Sequence, residues 1–466
     1  MNTPRVVVVG AGPAGVAAAI EAARAGLTVH VYDENANPGG QIYRQPLEPM
    51  QPGPTVGPEA ARGRRLLEEF RLAGSQVVLH QRALVWGAFA ERSIEVWENE
   101  RSERVTPEVL VLAMGGYERP VPIPGWTLPG VYTAGAMQVL VKTQGVLPGQ
   151  RVLIAGTGPL LPVIAGQLAQ AGAQVVAVLE AASLRGAWRA IPQLWGQWTL
   201  IGDAWHYWRG LRTARIPYRR SNTVARIIGT EAVQAAVTVK LDEDWHPVPH
   251  TEQTIEVDAV CLGFGFVPST QLTQLCNCEH RYASELGGWI PVTSAEMETS
   301  RPGIFAAGDA TGSGGAMVAE LEGRIAGIAA AARVGALRPA EAAARMRPHR
   351  QALGRLQRLR AVLDRLTCVR EGLGDLITPD TIICRCEEIT AAEIQASLEE
   401  STADLAQLKR MTRAGMGYCQ GRMCGPALGT LLAKRTGMGL EGIIPPSFRP
   451  PIKPVPIEVL ATLEEE

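Results

Sequence analysis

Near the carboxyl end, Cys384-Arg-Cys386 and Cys419-Gln-Gly-Arg-Met-Cys424 gather half of the chain's 8 cysteines into one stretch. Four thiols at such spacing can hold a metal centre once deprotonated, and each iron of a two-iron cluster takes two protein sulfurs. Arg385, Lys409, Arg410, Arg413 and Arg422 lie around them in sequence and would favour thiolates, though the same cations suit a solvated basic face. A four-cysteine zinc site and inert buried thiols are the competing readings. Paired zinc ligands are usually separated by roughly two to four residues, so the single residue between Cys384 and Cys386 counts against zinc. Cys276-Asn-Cys278 has no second pair beside it and reads as structural, as do Cys261 and Cys368.

A different chemistry opens the chain. Gly10-Ala-Gly12-Pro13-Ala14-Gly15 falls between a β-branched run and an alanine-rich one. Gly10 permits a tight turn, Gly12 lets the backbone approach a pyrophosphate, and Gly15 lets helix and strand pack closely. The helix start offers free N–H groups and a partial positive charge to phosphates. Asp33, followed by Glu34, stands where a carboxylate accepts the hydroxyls of an adenosine ribose. The pattern returns at Gly156-Thr-Gly158-Pro-Leu-Leu161 with Glu180 in the acidic position. There Leu161 replaces the third glycine, so the second loop reads either as an NAD site, with Glu180 disfavouring a 2′-phosphate, or as a fold that has lost its nucleotide.

The elements that must position these loops are legible. Arg5–Gly10 is a strand, Ala14–Ala25 a helix closed by Gly26, and Leu27–Asp33 a second strand, giving a βαβ unit suited to a buried parallel sheet. Arg151–Ala155, Pro162–Ala171 and Gln174–Leu179 repeat it, with strands expected at Val109–Ala113 and Ala259–Leu262. Pro120, Pro122, Pro124 and Pro129 suit a crossover between domains. Helices are expected near Gly315–Ala332, over the arginine-rich Leu337–Leu366, and at Ala391–Glu399 between the cysteine pairs. The stretch Pro445–Pro456 reads as extended. The expected fold class is α/β, with two Rossmann-like domains and a small helical carboxyl-terminal domain. The first would take 1–115 and 256–335, the second 116–255, a helical linker 336–378, the cysteine module 379–440 and a proline-rich tail 441–466.

Composition narrows the function. With 466 residues the chain holds several domains, and a formal net charge of −1 leaves no basic footprint for nucleic acid. The amino-terminal residues form no cationic leader, and no apolar run reaches the ~18 residues of a membrane span, so a soluble, cytoplasmic protein is expected. Trp188, Trp195, Trp198, Trp205 and Trp208 fall close together. They read either as a cover for the second domain or as a partner or membrane-surface contact. The arginines from Arg338 to Arg365 read as a solvated helix face or a dock for an acidic partner. No CxxC follows the first βαβ unit or lies near Glu180, which excludes a disulfide reductase. None of the 7 histidines sits in an acid–base constellation, and His280 reads as structural.

Several segments carry a resemblance. Thr299-Ser-Arg-Pro-Gly-Ile-Phe-Ala-Ala-Gly308-Asp309 resembles the late FAD signature of the two-dinucleotide-binding flavoproteins, with Asp309 in the position of the aspartate near the ribityl and pyrophosphate. Ala113-Met-Gly115 and Gly263-Phe-Gly265 resemble the family's linker motifs, and Gly39-Gly40-Gln41 the loop beside the flavin ring. The cysteine module resembles the [2Fe–2S] domain of bacterioferritin-associated ferredoxin, with the longer second spacing of flavoprotein-fused versions. Gly39-Gly-Gln-Ile-Tyr-Arg-Gln45, Cys278-Glu-His-Arg-Tyr282, Gly287-Gly-Trp289, Glu322-Gly-Arg324 and Gly415-Met-Gly-Tyr-Cys-Gln-Gly-Arg422 together resemble the α-type subunits of bacterial amino-acid and opine dehydrogenases. That group takes in the corresponding chains of opine oxidase, D-hydroxyproline dehydrogenase, hydrogen cyanide synthase and, more distantly, sarcosine oxidase. The resemblance implies FAD at the first loop and a [2Fe–2S] cluster on Cys384, Cys386, Cys419 and Cys424. It implies a β subunit similar to D-amino-acid oxidase that removes hydride from the amine carbon, sometimes a small third chain, and an acceptor such as a quinone. Some relatives hold NAD or ATP in the nucleotide sites and FMN where two chains meet. A self-contained NADH-dependent reductase is the alternative.

Overall fold

The computed structural model describes residues 5–45, 57–89, 92–185, 188, 191–400, 404–445 and 447–461. Two parallel five-stranded sheets organise the chain. The first starts at β1 (Val6–Val9), crosses through α1 (Pro13–Arg24) to β2 (Val29–Asp33), then through α2 (Pro58–Leu72) to β3 (Val77–Gln81). An antiparallel meander, β4 (Leu84–Phe89), β5 (Ser93–Glu98) and β6 (Arg101–Val105), intervenes before β7 (Val109–Leu112) returns beside β1. The chain then leaves through β8 (Gly116–Glu118).

The second sheet is built from β9 (Val131–Thr133), α3 (Ala134–Gln144), β10 (Arg151–Gly156), α4 (Leu160–Gln170) and β11 (Gln174–Glu180). Next come α5 (Ile191–Leu194), α6 (Trp198–Thr213) and β12 (Tyr218–Arg220), and then a meander of β13 (Asn222–Gly229), β14 (Val233–Lys240) and β15 (Gln253–Glu256). β16 (Ala259–Gly263) completes the sheet, in the order β12-β11-β10-β16-β9. β17 (Phe266–Pro268) carries the chain back and pairs antiparallel with β8, so the strands that follow the two expected linker motifs lie against each other. After α7 (Gln271–Leu275) and the hairpin β18 (His280–Ala283) and β19 (Gly288–Pro291), β20 (Ile304–Ala306) closes the first sheet in the order β20-β7-β1-β2-β3. α8 (Ala316–Arg333) follows, then the long α9 (Pro339–Thr367). The cysteine module consists of β21 (Ile382–Cys384), β22 (Ile389–Thr390), α10 (Ala391–Glu400), α11 (Leu405–Thr412) and α12 (Gly425–Thr436), and α13 (Ile457–Ala461) ends the described chain.

Each central strand is apolar throughout because both faces are covered. Val6 and Val8 face α1 and α8, while Val7 and Val9 face the β4–β6 meander. In the second sheet Val152 and Ile154 face α3 and α4, and Leu153 and Ala155 face the β13–β15 meander. Neither meander is expected from the sequence. The alanine content of α1 has a mate in α8: a Cβ on Gly323 would stand 2.0 Å from the Ala14 carbonyl oxygen, and one on Gly327 2.2 Å from that of Ala18. The two helix backbones meet there, and only small residues permit it.

Three expectations change. The tryptophans do not cover the second domain: Trp195, Trp198, Trp205 and Trp208 are all exposed. The arginine-rich helix is not a purely solvated face, since Arg360 turns inward to the Ser313 carbonyl at 2.6 Å and to Asp364 at 2.8 Å. The tail, without regular structure over 447–456, docks back on the first domain. There the Ile452 N–H donates to the Trp86 carbonyl at 2.8 Å and its side chain is buried, while Lys453 pairs with Glu34.

Candidate redox site

The first glycine loop admits no substitute at two points. A Cβ on Gly10 would lie 2.4 Å from the Ala113 carbonyl oxygen, and one on Gly15 1.8 Å from that of Gly10. Gly40 (φ +61°) comes so close that its Cβ would stand 2.8 Å from Gly12 Cα, packing the Gly40–Gln41 loop on the phosphate turn. Pro13 opens α1, and no side chain caps the helix, so its first N–H groups are left for a ligand. Asp33 does not point away from the loop. Its Oδ2 accepts the Ala11 N–H at 2.6 Å, and Oδ1 accepts the Asn35 N–H at 2.7 Å, so the carboxylate braces the turn. At the same carboxyl end of the sheet, after its edge strand β20, Asp309 Oδ1 accepts the N–H groups of Gly314 and Gly315 at 3.1 and 3.2 Å, with burial raising its pKa. The Gly308 N–H is held by Glu322 at 2.9 Å. Like α1, α8 starts with no side-chain cap.

The second loop repeats the brace. Glu180 is 4% exposed and accepts the Gly158 N–H at 3.1 Å, the Ala182 N–H at 3.1 Å and the Tyr218 hydroxyl at 2.9 Å. Burial nonetheless raises its pKa. Leu161, in place of a third glycine, is wholly buried and packs on Gly263, which a Cβ would bring to 3.0 Å. Gly156 sits against the Gly263 carbonyl, at 1.9 Å from a would-be Cβ.

In the cysteine module the four thiols of the two motifs lie near one another, Cys424 by Cys384 and Cys419, and Cys386 by Cys419 and Cys384. The neighbouring Cys424 thiol and the backbone of Gly415, Glu387 and Cys386 push Cys384 down to about 5, and Cys384 in turn pushes Cys424 up. Among the described residues no three Cys, His, Asp or Glu side chains converge to hold a single ion. Two thiol pairs suit a two-iron unit, with two sulfurs to each iron, better than one tetrahedral zinc. Glycines make the room: a Cβ on Gly417 would stand 2.3 Å from Cys386 Cβ.

One cavity of about 3110 Å³ connects these parts. Gly12, Gln41, Gly115 and Asp309 line it at the first loop, Gly158 and Glu180 at the second, and Cys419 and Arg422 at the cysteine module. Tyr117, on β8, lines it between them, with its hydroxyl pKa raised to about 12 by burial despite the cations of Arg422 and Arg119. Arg422 donates to the carbonyls of Cys419 at 3.3 Å and Ile452 at 3.0 Å, fastening the tail over the module. Tyr117 and Arg119 carry no local sequence signal beyond following Gly115-Gly116. His280 is structural, its ring held between the Cys278 carbonyl and the Thr273 hydroxyl at 2.8 and 2.9 Å. Burial pushes the Cys276 thiol up to about 12, in keeping with an inert pair at Cys276 and Cys278.

Fold and site define an oxidoreductase of the dinucleotide-binding flavoprotein class with an appended iron–sulfur module. Residues 4–335 match the family model for pyridine nucleotide-disulphide oxidoreductases, and residues 382–434 that for BFD-like [2Fe-2S] binding domains. The first match brings a flavin with it and the second an iron–sulfur cluster. The HcnB chain of hydrogen cyanide synthase from Pseudomonas aeruginosa is 36% identical over 99% of both chains. The A chain of opine oxidase from Rhizobium meliloti, likewise named as one of that enzyme's subunits, is 34% identical over 98% of this chain and 87% of its own. The chain belongs to the family of these flavin and [2Fe–2S] subunits. In fold it is similar to the L-proline dehydrogenase of P. horikoshii, with a TM-score of 0.69 at 20% identity over 98% of this chain and 79% of that one.

Proposed function

We propose that the chain is the electron-transfer subunit of a hetero-oligomeric dehydrogenase or oxidase acting on a CH–NH donor, an amino acid, imino acid or opine. The observation that carries this is the single cavity running from the first glycine loop to Cys419. In this reading residues 1–115 with 256–335 form the flavin domain, 116–255 the second nucleotide domain, 336–378 a linker and 379–440 the cluster domain. Gly10, Gly12 and the start of α1 would hold the FAD pyrophosphate, Asp33 and Glu34 would lie by its ribose, and Gly40, Gln41, Ala113, Gly115 and Asp309 would lie along its length. Cys384, Cys386, Cys419 and Cys424 would hold the cluster. A flavin and an iron–sulfur centre, when bound, couple a two-electron donor to a one-electron acceptor.

The names of the relatives as subunits support a division of labour. The histidine–carboxylate pair that lines the cavity, His246 with Asp375 at 2.7 Å, stands beside Lys434 of the cysteine module and not at the first loop, and we assign amine oxidation to a partner β subunit with its own FAD. FMN at the boundary between the two chains, a small third chain and a quinone acceptor belong to the same reading. The second loop is assigned no NAD or ATP, because the buried Leu161 stands where a third glycine would let helix and strand approach. The test is to purify the native complex by a tag on this chain, identify extracted cofactors, and screen amino and imino acids for dye reduction. Substrate-dependent reduction by the complex and none by the isolated chain is expected. Full-rate substrate oxidation by the isolated chain, or flavin bleaching by NADH alone, overturns the assignment.

A further inference from the structure

α6 is a ridge: of residues 198–213 only Leu211 is buried. One side holds it to the protein. Asp203 pairs with Arg62 at 2.8 Å, the Tyr207 hydroxyl donates to Glu59, and Leu200 packs on the core beneath. The opposite side repeats at helical spacing as Trp198, Ile201, Trp205, Trp208 and Arg212, with Trp195 continuing the row. Trp195 is 83% exposed, Trp198 64%, Trp205 61% and Trp208 45%. The rings associate with one another, Trp195 against Trp198 at 5.7 Å and Trp205 against Trp208 at 5.3 Å, and the Arg212 guanidinium lies 4.0 Å above Trp208.

Charge identifies what covers this row. Between Ala181 and Thr230 the only carboxylate is Asp203, which is turned inward to Arg62. Arg209, Arg212, Arg215 and Arg219 are all exposed on or just beyond α6, on a chain whose net charge is −1. Indoles settle at the boundary between headgroups and acyl chains, and arginines beside them meet anionic phosphates. Trp195 and Trp198 project outward, and Ile201, Trp205 and Trp208 stand exposed at the rim of the cavity, so the row suits a deformable surface more than the fixed pocket a protein hot spot requires. Among the described residues no helix is long and apolar enough to cross a membrane, so the contact would be peripheral.

We propose that the Trp195–Arg212 ridge docks this chain on an anionic phospholipid surface. The proposal stands independently of the electron-transfer reading. The test uses the full chain with vesicles of phosphatidylcholine alone or mixed with phosphatidylglycerol, at low salt. Co-sedimentation with the anionic vesicles at least about tenfold above the zwitterionic ones is expected, with a blue shift of tryptophan emission and quenching by brominated acyl chains. The triple variant Trp198→Ser/Trp205→Ser/Trp208→Ser should lose about tenfold or more of this binding, and Arg209→Glu/Arg212→Glu its preference for anionic lipid. Circular dichroism and thermal unfolding check that both variants remain folded. No partitioning of the wild-type chain onto anionic vesicles overturns the proposal. So does a folded triple variant that binds vesicles as the wild type does, or one that loses a protein partner from the native complex while vesicle binding persists.

Discussion

The phenol of Tyr218 donates to Glu180 Oε2 at 2.9 Å, from the edge strand of the second sheet to the strand end beside it. The carboxylate that a nucleotide would need is thereby drawn into the protein, together with the Gly158 and Ala182 N–H groups it accepts. Glu180→Ala leaves both N–H groups buried without an acceptor, and a buried donor without a partner costs about 1–3 kcal/mol. Urea unfolding should show a loss of at least that order. Tyr218→Phe, which removes one donor and leaves the backbone brace in place, should cost about 1 kcal/mol.

This arrangement marks a limit of what residues in order can reveal. A glycine loop followed by an acid at the end of the next strand looks the same whether the acid meets a ribose or its own loop. Asp33 and Glu180 each accept three protein donors in and around their own loops, which does not preclude a ribose beside Asp33. The glycines were legible because close approach leaves no alternative to them, as at Gly10 and Gly15. The four cysteines drew notice because a single residue between Cys384 and Cys386 is unusual for paired zinc ligands. The alternation of β4–β6 and β13–β15 was obscured by charged residues on their exposed edges, such as Arg101, Glu103 and Arg104. Tyr117, Arg119 and the docking of Ile452 on Trp86 join residues far apart in the chain, and no local pattern announces them.

Glu322 makes stability depend on pH. Buried beside Asp309, and held by the Gly308 N–H and the Thr311 hydroxyl, its carboxyl is raised from 4.5 to about 7. The folded chain therefore binds a proton that the unfolded chain has released between these values. Its contribution to stability is complete below pH 4.5 and is lost as pH rises through 7, by up to about 3 kcal/mol. Glu322→Gln, which keeps the shape and removes the titration, should flatten this part of a profile of unfolding free energy against pH. An unchanged slope would mean that another group is responsible.

Arg324 ties three helices together. Its guanidinium meets Glu21 of α1 at 2.9 Å, Glu69 of α2 at 3.0 Å and Glu320 of its own helix at 2.9 Å, with the side chain only 10% exposed. Arg324→Met leaves Glu21, 7% exposed, with only the partly exposed Arg24 for a partner. Breaking such a cluster from one side costs about 3–5 kcal/mol, to be read from the urea midpoint. Lysine cannot reach three carboxylates with one fork, so Arg324→Lys should recover less than half of the loss.

Two glycines of the cysteine module should respond in opposite ways to the same added methyl group. At Gly417 the new Cβ would lie 2.3 Å from Cys386 Cβ and 2.9 Å from a Glu387 carboxylate oxygen, so the loop carrying one thiol pair must move. At Gly425, the first residue of α12, nothing lies within 4 Å and the backbone is helical. Gly425→Ala should therefore keep its full iron content and gain about 0.5–1 kcal/mol from helix propensity. Gly417→Ala should lose most of its iron and the visible absorption that goes with it, while extracted flavin per chain stays at the wild-type level. Equal iron in the two variants would mean that Cys386 does not depend on the room Gly417 leaves, and would remove the geometric case for a cluster shared between the two cysteine pairs.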